Sequence, residues 1–170
     1  MPAALASKGF ALREEAELDV PFLMALYAST REEELAPVPW PPEQKAAFLA
    51  MQFNMQRTHY RSHMPDAQWI VIAHEGAPVG RIYLDWRSGR LGLVDISLTP
   101  AYRGQGVGTA ILRQVLTMAD SVEARVHLHV ERFNRALQLY LRLGFVVIDD
   151  GAVYLEMERE PGATAADDVS

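Results

Sequence analysis

Seven consecutive residues, Arg103, Gly104, Gln105, Gly106, Val107, Gly108 and Thr109, bring together a cation and three glycines at the start of an amphipathic segment. An apolar strand-like run over 93–98 leads through Thr99 and Pro100 into this turn. The turn opens into a helix carrying Ile111, Leu112, Val115, Leu116 and Ala119 on one face. Strand, glycine turn and helix start in that order offer unpaired backbone N–H groups and the positive end of a helix dipole to an anion. Glycine lets the backbone approach that anion without a Cβ in the way. The spacing excludes two common anion loops. A dinucleotide fingerprint would need glycine where Thr109 stands, and a nucleoside triphosphate loop would need a Gly-Lys-Ser/Thr ending.

Other residues could take part in proton transfer. Asp95 interrupts the apolar run Leu93, Val94, Ile96, where a carboxylate is costly unless paired or wet; a partner on a neighbouring strand would explain it equally well. His127 and His129 alternate onto one face of the next strand, opposite Val126, Leu128 and Val130. If that face meets a substrate cleft, His129 could act as a base. Two histidines at i, i+2 also raise a metal site, but no third ligand stands at motif spacing, and none is assigned. Further on, Asn134 reads as a helix N-cap and Gly144 as the residue just past the helix end. Tyr140 falls in step with Ala136 and Leu137 and, on spacing alone, reads as a core aromatic.

The arginine and glycines of 103–108 resemble the acyl-CoA pyrophosphate loop of the GCN5-related N-acetyltransferase (GNAT) superfamily. Asn134, Ala136, Tyr140, Gly144 and Phe145 resemble a second stretch of the same family, in the right order and at a compatible distance. The resemblance covers most of the chain, although its specific motifs lie only within 93–145. It implies that the strands ending at Leu98 and Val130 splay apart and that CoA inserts between them. The pantetheine arm would pair with the backbone of 95–98, Ile96 and Leu98 included, and Asn134 would touch it. The pyrophosphate would lie on Arg103, Gly104, Gln105, Gly106, Val107, Gly108 and Thr109. Tyr140 would contact the cofactor and protonate the departing thiolate. Many relatives carry a catalytic glutamate earlier on the strand, where this chain has Gly92 and apolar neighbours. Asp95, His129 or a water path therefore stay open as the route for the amine proton.

These residues need elements to hold them. A strand over 10–13 precedes a helix capped by Asp19 with Pro21 in its first turn, through Phe22, Leu23, Leu26 and Tyr27. The prolines within 37–42 break the chain before a second helix over 43–59. Strands over 69–73, 79–86 and 91–98 follow as hairpins. Then come the glycine turn, a helix, a strand over 124–130, a helix from Asn134 to Gly144, and a last hairpin over 145–148 and 153–157. This is an α/β chain: a mixed central sheet, antiparallel early and parallel where two strands splay, with helices on both faces. One domain is expected over 8–160, with a flexible tail over 161–170. Substrate selectivity is expected from 29–40 and from strand ends such as Asp85 and Trp86. The run Glu32-Glu33-Glu34 could line a site for a cationic amine, and Trp40 and Tyr60 could cover a substrate or the thioester, but taken singly each reads first as a solvated helix face or as core packing.

Composition narrows the function. The 170 residues carry a net charge of −6 without a basic block, which argues against nucleic acid as the main partner. No cysteine is present, so there is no thiolate metal site and no cysteine to carry an acyl group; direct transfer fits. No signal-peptide layout or membrane-spanning run appears, and the cytoplasm is the default compartment. The expected activity is an N-acetyltransferase using acetyl-CoA as co-substrate, without metal, on a small-molecule or peptide amine, by direct attack in a ternary complex. The alternatives are an acyl-CoA binding or sensing module and an adaptor domain that binds a protein partner. Pairing of the chain as a homodimer is left open.

Overall fold

A computed structural model describes residues 1–164. Helix α1 (Ala3–Ala6) leads into strand β1 (Phe10–Glu14), followed by helices α2 (Val20–Leu35) and α3 (Pro42–His63). Strands β2 (Gln68–His74), β3 (Ala77–Arg87) and β4 (Arg90–Leu98) come next, then α4 (Val107–Ser121), β5 (Arg125–Glu131), α5 (Leu137–Arg142), β6 (Val146–Asp150) and β7 (Tyr154–Arg159). The strands make one sheet in the order β1-β2-β3-β4-β5-β7-β6. β1 to β4 form antiparallel neighbours, β4 and β5 run parallel across the α4 crossover, and β7 lies antiparallel between β5 and β6. The mixed sheet expected from the sequence is the sheet observed.

Alternation along the strands sends their side chains to two different environments. One face carries Ile82, Leu84, Leu91, Leu93, Val126 and Leu128, packed against Ile111, Leu112 and Val115 of α4 and against Phe145. The opposite face carries Arg81, Tyr83, Asp95 and Ser97, and α2 and α3 cover it. The apolar cluster on that side is small: Leu23, Tyr27 and Phe53. One face is thus a conventional core, whereas the other is polar enough to hold a reaction.

Several boundaries differ from expectation for local reasons. Pro42 opens α3 rather than standing outside it, since a first-turn proline loses no helical hydrogen bond; the helix then runs to His63. Asp19 does not cap α2 through its side chain. Its carboxylate accepts two bonds from Arg13 (2.7 and 2.8 Å) and one from the Ala16 N–H (2.8 Å), closing a short turn ahead of the helix. Ahead of residue 8, α1 buries Leu5 in the main core, which the short apolar stretch over 1–10 does not announce. Of the expected tail, residues 161–164 are tied down: Asp120 accepts from the Gly162 N–H (2.9 Å) and Arg159 donates to the Ala163 carbonyl (2.7 Å). Residues 165–170 lie outside the described residues.

Candidate active site

The parallel ladder between β4 and β5 is short. It joins Arg90 to Arg125, Leu91 to Val126 and Gly92 to His127, and then ends. Both strands continue beyond it, to Leu98 and Glu131. The divergence begins beside a bulge. Tyr83 pairs with Asp95 and Leu84 with Leu93, which leaves Val94 as an extra residue in β4. A bulge bends its strand and sharpens its twist, and it re-aims the residues that follow. From 93 to 98 the β5-facing edge of β4 therefore has no strand partner, and a slot with unpaired backbone edges opens in the middle of the sheet.

The glycine turn closes one end of this slot. Gly104 and Gly106 adopt φ of +74° and +81°, a left-handed backbone that only glycine takes cheaply, and Gly106 is the N-cap of α4. Gly108 has an ordinary helical backbone; a Cβ there would come to 3.6 Å from Leu98 and 4.0 Å from Ile96. At those distances the contact is an ordinary one, so the helix start already sits against the end of β4. Among the described residues, none of the backbone N–H groups of 104–109 has a hydrogen-bond acceptor. Six glycine-permitted or first-turn amides and a helix dipole thus converge unsatisfied, an arrangement suited to a phosphate. Arg103 straps the corner: Nε donates to the Leu98 carbonyl (2.8 Å) and Nη2 to Ser29 Oγ on α2 (3.0 Å). Gln105 folds back to the Ala101 carbonyl (2.8 Å), so its side chain shapes the turn. Thr109 and Ile96 are half-buried beside them.

The expected helix from Asn134 to Gly144 is shorter than its motif. Only Leu137–Arg142 is helical, because Asn134 closes a turn of its own: its Oδ1 accepts from the Ala136 N–H (2.8 Å) and its carbonyl from the Leu137 N–H. Gly144 plays the expected part at the other end. At φ +96° it lets the Phe145 N–H reach back to the Tyr140 carbonyl (3.1 Å), with the two rings 5.6 Å apart. That clasp fixes Tyr140, which is buried in the core as its spacing indicated. Burial, and then the negative charge of Asp95, push its hydroxyl up to about 12. The hydroxyl is protonated at neutral pH and makes no hydrogen bond to any described residue. The core role and an acid role are compatible here.

Asp95 has the cross-strand partner that was weighed for it. Arg81 Nε donates to Oδ2 at 2.5 Å, and Ser97 Oγ donates to the same oxygen at 2.9 Å. Arg81 is 4% exposed; it gives Nη2 to Gln56 (3.1 Å) and lies over the Tyr83 ring at 4.7 Å. Neither Arg81 nor Gln56 was singled out in the sequence. An arginine pointing into an otherwise apolar strand, Val79 to Leu84, was the signal available. Tyr60 lies nearby, stacked on Trp69, its hydroxyl raised to about 12 by burial and then by Asp95.

The two histidines share a face as expected but differ in setting. His127 is half-buried at the point where the strands part, with Nδ1 accepting from Arg90 (2.9 Å); burial first, and then Arg90, lower its pKa. His129 is 64% exposed, with Glu156 3.9 Å away. The end of α2 reaches across the slot: Arg31 bonds Glu131 on β5 (3.0 Å), and Glu33 bonds Arg135 (2.9 Å). Glu33 and Glu34 are therefore spent on arginines, and Trp40 packs edge-on against Phe48.

A mixed sheet, a slot between parallel strands and an amide cluster at its end can be compared with known proteins. The sequence profile of the acetyltransferase (GNAT) family matches residues 23–145. The chain belongs to this family. A thialysine N-epsilon-acetyltransferase of Bos taurus is 39% identical over 64 residues, which span 36% of this chain and 38% of that relative. Among solved structures, PaiA N-acetyltransferase of Thermoplasma acidophilum in complex with coenzyme A superposes with TM-score 0.68 at 18% identity, covering 89% of this chain and 98% of that one. Spermidine N-acetyltransferase of Vibrio cholerae, in complex with CoA and spermine, gives TM-score 0.62 at 16% identity over 91% and 97%. At these identities the structures speak for the fold alone.

Proposed function

We propose that this family member transfers an acetyl group from acetyl-CoA to a primary amine by direct attack within a ternary complex. The observation that carries the reading is the slot between β4 and β5, with the unsatisfied amides of 104–109 at its end. CoA would thread the slot with its pyrophosphate on those amides and Arg103, and its pantetheine arm would bond the open backbone of β4 from Asp95 to Leu98. Asn134 flanks the arm. The coenzyme A complex of the Thermoplasma protein and the spermine complex of the Vibrio protein support a cofactor and an amine of these classes.

The chemistry follows from what an amide bond requires. The amine attacks only after losing its ammonium proton. Asp95 Oδ2 is occupied by Arg81 and Ser97, leaving Oδ1 to hold a water that carries this proton toward solvent; His129 stands on the same strand face, exposed. The nitrogen lone pair then forms the new C–N bond at the thioester carbon. The tetrahedral intermediate collapses by breaking the C–S bond, and the thiolate takes the proton of Tyr140. With no cysteine in the chain, no acyl-enzyme forms on a thiol.

Free thiol released from acetyl-CoA, measured across polyamines, amino acids, aminoglycosides and short peptides, tests the reading. Release with any of these establishes the reaction. Tight CoA binding with no release across the panel would favour a CoA-sensing module, a reading that the occupied carboxylate of Asp95 makes specific. Absence of CoA binding would leave the slot as a protein-docking cleft.

A further inference from the structure

Under α3, on the same sheet face, Asp95 is continuous with a layer of charge whose other members the transfer chemistry does not use. Glu15, with a side chain 1% exposed, binds both Arg57 and Arg61 and accepts the Tyr83 hydroxyl (2.6 Å). Asp95 binds Arg81. Arg61, with a side chain 44% exposed, reaches solvent, so the ion pairs held against the sheet are Arg57 with Glu15 and Arg81 with Asp95. Arg81 is also incompletely bonded. Its Nε serves Asp95 and its Nη2 serves Gln56, while Nη1 has no hydrogen-bond partner among the described residues. Arg81, Gln56, Tyr60, Tyr83, Arg57 and Arg61 line a cavity of about 10 Å³, enough for one water molecule or one carboxylate oxygen. Tyr60 also lines this cavity, and its hydroxyl has no hydrogen-bond partner among the described residues.

We infer that the acceptor amine carries a carboxylate, which docks on Arg81 Nη1 and the Tyr60 hydroxyl beside the reacting centre. The free guanidinium nitrogen, the unpartnered Tyr60 hydroxyl and the small cavity together fit one anionic oxygen. Arg81 also touches Asp95 directly, which places that oxygen next to the β4 segment where the amine would attack. A planar guanidinium with a spare donor suits a carboxylate better than an ammonium would. The inference rests on the acetyl-transfer reading and specifies its substrate class: amino acids or carboxylate-bearing amines rather than simple polyamines.

The test pairs acceptors that differ only in the distal charge: 4-aminobutyrate, 6-aminohexanoate and lysine, each against its primary amide, with putrescine and cadaverine as amines lacking the group. Thiol release from acetyl-CoA gives kcat/KM for each. Losing one hydrogen bond to a charged partner is expected to disfavour the amide by about tenfold or more at the chain length that fits. Arg81→Lys, which keeps the charge beside Asp95 but loses the second terminal nitrogen, should shrink this preference while CoA affinity by calorimetry persists. The inference is overturned if the amides and diamines are acetylated as well as the acids, because transfer would then be established with no anion recognised. Silence with every amine despite CoA binding is a different failure: it removes the transfer reading and this inference with it.

Discussion

At the scale of single residues, the proposed proton donor is Tyr140, set within reach of the negative charge of Asp95. Tyr140 and Asp95 are close enough for the carboxylate to raise the hydroxyl, and burial raises it further, to about 12. A phenol that stays protonated can give its proton to a thiolate leaving group. Tyr140→Phe is therefore expected to lower thiol release by about a hundredfold or more, the usual contribution of a positioned acid, while CoA still binds. A loss of a few-fold only, measured at saturating acetyl-CoA, would assign Tyr140 to the core alone. His129 gives the contrasting expectation. It is exposed, with only the distant Glu156 beside it, and in the proposed mechanism the proton leaves through water, so His129→Ala should fall far short of a hundredfold loss. A comparable loss would make His129 the base. The pH dependence of kcat/KM in the same variant separates a lost base from a lost contact.

Individual elements set how well these groups are held. Gly144 ends α5 with a left-handed backbone, and a Cβ there would stand 3.0 Å from the Ala163 carbonyl. Gly144→Ala should cost about 1–2 kcal/mol in stability from the backbone alone, read by chemical denaturation, and should loosen the Tyr140 clasp. Gly106→Ala should cost a similar amount for the same reason. Gly108→Ala should cost little, because its φ is helical and the nearest atoms lie at ordinary contact distance. Equal costs at all three positions would contradict this division. The glycines illustrate what was legible beforehand. Strand order, hairpins and the glycine turn follow from short-range pattern and could be read directly. The extent of α5 could not, because Asn134 had two ways to use its carbonyl side chain, an N-cap or a tight turn, and the sequence does not choose. The role of Asp19 was hidden for a related reason. Its partner Arg13 lies on another element, and only the fold brings them together. Asp95 was recognised as a carboxylate needing company, but Arg81 and Gln56 come from β3 and α3, and no spacing in the chain announces their meeting.

For the whole molecule, titration and ligand binding report on the fold together. Tyr60 and Tyr140 have folded pKa values near 12, above the ordinary tyrosine value of about 10. Their contribution to stability is fully present below about pH 10 and is lost as pH rises through about 12. Asp19 and Asp120 are shifted the other way, each by an arginine that hydrogen-bonds its carboxylate. Their contribution is present above the unfolded value of about 3.9 and is lost as pH falls through their lower folded values. His127, lowered by burial and then by Arg90, adds a decline as pH drops below about 6.5. Denaturation midpoints across pH should therefore be flat between about 7 and 10, with His127→Asn removing the first acidic slope. A midpoint that kept rising above pH 10 would contradict the burial of the two tyrosines. The central claim, that the slot between β4 and β5 holds CoA with its pyrophosphate on the amides of 104–109, is tested most directly by titration calorimetry of CoA into the parent chain and into Gly108→Glu. The helix start tolerates a Cβ at that position, so the fold should survive while a carboxylate is set against the phosphates. Measurable binding to the parent and its loss in the variant, which remains folded, are the expected result. Equal affinity in the two proteins would contradict the claim.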